Sequence, residues 1–221
     1  MFGPGGALAH SQNMNPIGAK PPPAFPSMRI GLLGGSFNPA HEGHLHISLE
    51  AIKRLRLHRL WWLITPGNPL KSASRLAPLE ERLVQALRVA THPKIEVTAF
   101  EAGLASPYAC DTIGFLLERY PAVHFVWIIG GDNLVQFHKW RNWAEIFASI
   151  PIFVADRPAF RHLALASPAA RRFAEAYVPE SDAGRLAACP PPAWSYVSLP
   201  LCQTSSTAIR RAARAEKFSE T

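Results

Sequence analysis

Between residues 28 and 160, short apolar runs alternate with segments of helical period, and this alternation constrains the fold most. "MRIGLLGG" leads into "GHLHISLEAIKRLRL", which carries Leu45, Leu49, Ile52 and Leu55 along one side. "RLWWLITP" precedes "APLEERLVQALRVAT", and "KIEVTAFE" precedes "CDTIGFLLERY". "HFVWIIGGD" precedes "NWAEIFASI", and "PIFVADRP" follows. Strands separated by helices require crossovers, which build a mainly parallel sheet covered by helices. Trp61 and Trp62 fall within a strand and read as core. Past residue 160 the pattern thins: "PAARRFAEAYV" reads as a helix and "AWSYVSLPL" as a last strand. "SSTAIRRAARAEKF" reads as a basic helix capped by Ser205 or Ser206. The expectation is an α/β fold, a doubly wound parallel sheet over residues 28–221 with a small C-terminal helical portion.

Residues 1–27 are rich in Pro, Gly and Ala without a period that could build a core, and are expected to form a disordered extension. Their first basic residue is Lys20, followed by prolines, so no signal-peptide n-region is expected. No apolar stretch is long enough to cross a bilayer. The cysteines Cys110, Cys189 and Cys202 lack C-x-x-C spacing, which suits thiols of a reducing, cytoplasmic compartment better than a disulfide framework or a zinc site. A net charge of +7 points to an anionic partner, either nucleic acid or a small phosphate-bearing substrate.

In an open parallel sheet, ligands collect beyond the carboxyl ends of the strands. The segments at that end are "GGSFNPAHEGH", "TPGNPLK", "EAGLASPY", "GGDNLVQFHKW" and "DRPAFR". In the first of them Gly34 and Gly35 let a ligand approach the backbone, and a helix beginning near Gly43 aims free N–H groups at an anion. The segment is neither a Walker loop nor a G-x-G-x-x-G fingerprint. His41 and His44 lie one turn apart and can face one ligand. A metal there lacks further ligands, and each histidine alone is an ordinary surface or capping residue. "TSSTAIR", residues 204–210, offers hydroxyls and amides at a second helix start, with Arg210 a turn further in.

Together these two segments resemble the nucleotidylyltransferase superfamily. The first motif is Gly35, Ser36, Phe37, Asn38, Pro39, His41, Gly43 and His44; the second is Ser205, Ser206, Thr207, Ile209 and Arg210. Within that superfamily, "NPLK", "SPYACDT" and "GGDNLVQFHKWRNW" are similar to the bacterial nicotinate-nucleotide adenylyltransferases. The likeness spans nearly all of residues 28–215. Departures are Thr204 where Ile is usual, Asn38 where Asp is common, Ala109 where Thr is frequent, and Arg141 where a second aromatic is often found.

The resemblance implies a Rossmann-like enzyme joining nicotinate mononucleotide to the AMP moiety of ATP, giving deamido-NAD and pyrophosphate in NAD biosynthesis. It implies that His41 and His44 contact the ATP phosphates, His44 nearest the α-phosphate, and that Ser206, Thr207 and Arg210 bind the leaving phosphates. It places the Gly34, Gly35, Ser36 and Phe37 backbone against adenosine and Asp132 near the ribose. For nicotinate mononucleotide it implies Lys71, with amides around Tyr108 and Ala109 and a wall from Trp140. Mg²⁺ is expected on the ATP phosphates rather than in a protein metal site. Neither nucleic acid nor membrane is an expected partner. Alternatives are an adenylyltransferase for nicotinamide mononucleotide or phosphopantetheine, or a non-enzymatic, basic nucleotide- or nucleic-acid-binding protein using the "KRLRLHR" run at 53–59. That run reads more simply as a solvated face late in the first helix.

Overall fold

A computed structural model describes residues 20–67, 76–157 and 159–200. Six strands form one sheet: β1 Arg29–Gly35, β2 Arg59–Ile64, β3 Ile95–Thr98, β4 His124–Gly130, β5 Ile152–Ala155 and β6 Trp194–Val197. Their order is β3-β2-β1-β4-β5-β6, and every neighbouring pair is parallel. The expected doubly wound α/β fold is therefore present. All carboxyl ends lie on one edge of such a sheet. The order reverses between β1 and β4, where the connections leave for opposite faces and open a crevice.

The apolar runs explain the layering. Side chains alternate across a strand, so the adjacent indoles of β2 go to opposite cores. Trp62 joins Leu33, Leu60 and Ile64 under α1 (Glu42–Arg54) and α2 (Leu79–Val89). Trp61 joins Ile30, Leu32, Leu63 and Phe125 under α3 (Ala109–Arg119). This second core also takes Leu134 of α4 (Gly131–Gln136), Ile146 and Phe147 of α5 (Trp143–Ser149), Ala164 of α6 (Arg161–Leu165) and Ala169 of α7 (Pro168–Arg172). Both indoles are fully buried, each worth roughly 5 kcal/mol of apolar transfer before entropy is charged.

Several local expectations are corrected. The inward face of α1 runs through Ile47, Ser48, Ala51 and Ile52, while Leu49 is exposed. Ser48 turns inward because its hydroxyl donates to the His44 carbonyl at 2.7 Å and accepts from Trp62 Nε1 at 2.8 Å. The helix expected across "PAARRFAEAYV" is α7 alone, followed by a 3-10 turn at Ala174–Ala176. The "KRLRLHR" run is not one helix face: α1 ends at Arg54, Leu57 is buried, and Arg59 already belongs to β2. Of the expected extension, residues 20–27 are tied to the domain. Thr98 Oγ1 donates to the Lys20 carbonyl, the Tyr120 hydroxyl to the Pro22 carbonyl, and Ser27 N–H to the Ala122 carbonyl. The basic helix expected near the C-terminus lies outside the described residues.

Candidate active site

The turn after β1 is built from rings. Phe37 holds a left-handed φ of 44°, which costs a non-glycine residue about 1 kcal/mol. Its buried ring offsets that cost by stacking on Trp62, with centroids 5.0 Å apart, and lying 4.6 Å from the His44 ring. The neighbouring glycines are closely enclosed by aromatic rings. A Cβ on Gly34 would sit 3.0 Å from the Trp127 indole, and one on Gly35 3.3 Å from Phe37.

His41 caps α1, its Nδ1 accepting from Gly43 N–H at 3.0 Å. His44 reaches back, its Nδ1 accepting from His41 N–H at 3.2 Å. This is a reciprocal capping box with imidazoles where a hydroxyl and a carboxylate usually stand. An accepting Nδ1 carries no proton, so each neutral ring keeps its proton on Nε2, a donor the helix does not use. Burial, then the Arg157 charge, push the His41 pKa down to about 4. Burial, then the His41 and Arg157 charges, push that of His44 down to about 3. Both rings are neutral at pH 7.

Arg157, just past β5, lies near enough to both histidines for its charge to act on them, and it pairs with the β4 loop. Its Nε lies 3.3 Å from Asp132 Oδ1, in the first turn of α4. A Cβ on Gly130 would collide with the Asp132 carboxylate, so glycine at the end of β4 makes room for the pair. The loops after β1, β4 and β5 therefore converge on one charged corner. Arg157 is not among the expected site residues, although its segment "DRPAFR" falls at the binding edge.

A second unanticipated residue is Arg82 of α2, 1% exposed. Its guanidinium donates to the carbonyls of Ser36 at 2.7 Å, Thr65 at 2.8 Å, Ala77 at 2.9 Å and Pro66 at 3.3 Å. No carboxylate among the described residues pairs with it. One buried cation thus fastens the loop after β1 to the loop after β2, assisted by Ala77 N–H donating to Asn38 Oδ1 at 3.4 Å. The signal available in the sequence is an arginine interrupting the inward stripe of Leu79, Leu83 and Ala86.

The expected pyridine-side residues form a separate group. α3 opens at Ala109 with Tyr108 as N-cap, and no side chain caps its first N–H groups. Trp140 is half-buried and stacks on Phe137, centroids 4.6 Å apart. The next residue, Arg141, sets its guanidinium carbon 4.8 Å from the Tyr108 ring centroid. Nearby, buried Glu101 accepts from the Thr112 hydroxyl at 2.9 Å, and burial raises its carboxyl pKa. Among the described residues, no hydrogen bond or ring contact joins this group to His41 and His44. Lys71, Ser205, Ser206, Thr207, Ile209 and Arg210 lie outside the described residues. Among those described, no three His, Cys, Asp or Glu side chains gather as a metal site, and no helix is long and apolar enough to cross a membrane.

Strand order, switch point and the imidazole-capped turn define a doubly wound α/β domain of the nucleotide-handling class. Within that class, the chain belongs to the cytidylyltransferase-like family, whose model matches residues 32–212. It is 55% identical over 183 residues to a probable nicotinate-nucleotide adenylyltransferase of Methylorubrum extorquens, covering 83% of this chain and 99% of that one. A protein of the same name from Cereibacter sphaeroides is 49% identical over 187 residues, 85% of this chain and 98% of its own. The fold is similar to that of Plasmodium falciparum nicotinic acid mononucleotide adenylyltransferase complexed with APC. That similarity has a TM-score of 0.61 at 15% identity, with 83% of each chain covered. The same parasite protein complexed with NaAD gives a TM-score of 0.59 at 16% identity, again covering 83% of each chain.

Proposed function

We infer that the chain is a nicotinate-nucleotide adenylyltransferase, transferring the adenylyl group of ATP to nicotinate mononucleotide with release of pyrophosphate, a step of NAD biosynthesis. The names of the relatives at 55% and 49% identity support this reading. The structural observation that carries it is the imidazole capping box, which presents two neutral N–H donors where a helix start meets the switch point.

The chemistry fits these parts. A phosphate oxygen of the mononucleotide attacks the α-phosphorus of ATP, and the bond to the bridging oxygen breaks to release pyrophosphate. The nucleophile is already ionised at neutral pH, so no general base is required. The work is in-line positioning and dispersal of charge on the phosphoryl oxygens. A neutral imidazole with its proton fixed on Nε2 meets that need without titrating near the working pH. In this reading His44 faces the α-phosphate and His41 stands beside it. Arg157 adds a fixed cation held by Asp132, which also borders the ribose. The Gly34–Phe37 backbone, tied down at Ser36 by Arg82, borders adenosine. Ser206, Thr207 and Arg210 take the leaving phosphates, Lys71 takes the phosphate of the mononucleotide, and Tyr108, Ala109 and Trp140 take its pyridine. Mg²⁺ would come with the triphosphate and would offset its charge during transfer. The compartment proposed is the cytoplasm.

Pyrophosphate release is the direct test. The protein is incubated with Mg²⁺ and either ATP or CTP, and with nicotinate mononucleotide, nicotinamide mononucleotide or phosphopantetheine. Turnover with ATP and nicotinate mononucleotide is expected to dominate. Turnover with phosphopantetheine alone, or with CTP in preference to ATP, would contradict the assignment.

A further inference from the structure

We propose that Arg141 is a specificity-determining residue that selects the acid over the amide form of the pyridine substrate by pairing with its carboxylate. This rests on the adenylyl-transfer reading and deepens it by assigning a residue to the choice of substrate.

Arg141 follows Trp140 directly, and Asn142 behind it takes a left-handed φ of 51°, a sharp turn that ends the segment before α5 begins. The guanidinium lies over the Tyr108 ring, at the residue where the uncapped first turn of α3 starts. A cation over an aromatic face is attracted by the ring's quadrupole, weakly at an exposed site, which biases the guanidinium toward the start of α3. It lies close enough to the start of α3 for its charge to act on the Cys110 thiol. The acidic residue beside it, Asp111, already accepts from the Ser106 hydroxyl. Among the described residues, no carboxylate forms an ion pair with Arg141. An exposed guanidinium with no ion-pair partner among the described residues thus stands over Tyr108 at the start of α3, next in sequence to the half-buried Trp140. All of these favour a planar carboxylate.

A pyridine carboxylate satisfies this corner, whereas a carboxamide brings no charge and turns an N–H₂ group toward donors. Lysine at 141 keeps the charge but loses the fork and its stacking, so the two parts of the effect can be separated.

The experiment compares kcat/KM for nicotinate and nicotinamide mononucleotide in wild type, Arg141→Gln, Arg141→Lys and Lys139→Gln. Lys139 is an exposed cation two residues away and controls for a general field effect. Arg141→Gln is expected to shrink the acid-to-amide ratio about tenfold, the range of one charge-assisted hydrogen bond, through KM for the acid. Arg141→Lys is expected to fall between wild type and Arg141→Gln, and Lys139→Gln to leave the ratio unmoved. An unchanged ratio in folded Arg141→Gln, or an equal shift in Lys139→Gln, overturns the proposal while leaving the adenylyltransferase reading intact. If wild type turns over neither pyridine nucleotide, the functional reading itself fails and this inference with it.

Discussion

At the residue scale, His44 does two jobs at once. Its Nδ1 closes the cap on α1, and its Nε2 proton is thereby fixed for use outside the helix. His44→Ala is expected to lower kcat about 10²–10³-fold, the cost of one preorganised donor to a developing phosphoryl charge. Steady-state pyrophosphate release from a variant shown to be folded measures this, and an unchanged kcat would remove His44 from the transition state. Arg82 belongs at the same scale but acts through backbone. Arg82→Leu leaves carbonyls of Ser36, Thr65, Pro66 and Ala77 without their donor in a buried site. It is expected to destabilise the protein by about 3 kcal/mol, read from urea denaturation. Residue patterns mark these two unequally. The histidine spacing, together with the distant serine-rich segment, singles out His41 and His44 from sequence alone. Arg82 has no such partner in the sequence, because its acceptors are main-chain carbonyls, which every residue carries.

At the scale of elements, β1, β2, β4 and β5 are legible because each is a largely apolar run buried on both faces, whereas the edge strand β3 keeps Glu96 and Val97 half-buried. The longer helices α1, α2 and α3 are legible by their period. The short pieces are not. α4, α6 and the 3-10 segment Glu180–Ala188 pack into the sheet through only a few positions, too few to set a period against the loops around them. The inward face of α1 departs from its apolar pattern for a chemical reason: Ser48 replaces an apolar residue there because it serves Trp62 and the His44 carbonyl together. That link ties β2 to the turn and helix start that carry His44. Trp62→Phe keeps most of the packing but removes the Nε1 donor, and is expected to cost about 1–2 kcal/mol and lower kcat severalfold. Thermal denaturation and pyrophosphate release on one sample check both effects. A loss of stability with no change in kcat would show that β2 supports the fold without positioning His44.

At the scale of the whole molecule, the neutral histidine pair links stability to acid. Both pKa values in the folded protein, about 4 for His41 and about 3 for His44, lie below the ordinary 6.5 that the unfolded chain restores. Between these limits the unfolded chain binds more protons. The stabilising contribution is therefore complete above about pH 6.5 and is lost as pH falls toward 3. About 5 kcal/mol should disappear between pH 7.5 and 4.5, measured by urea denaturation. In His41→Asn/His44→Gln the decline should be shallower, and an identical slope would mean that the imidazoles are not held neutral. The same six-stranded sheet sets the corner the proposed chemistry would use, because its β1–β4 switch puts the imidazole cap within reach of the Arg157 charge, which pairs with Asp132. The central claim is that this corner transfers an adenylyl group to a pyridine mononucleotide. Pyrophosphate release with ATP, Mg²⁺ and nicotinate mononucleotide tests it most directly. The account predicts turnover that requires both nucleotides and drops about 10²–10³-fold in His44→Ala, while no pyrophosphate from wild type with either pyridine mononucleotide would contradict it.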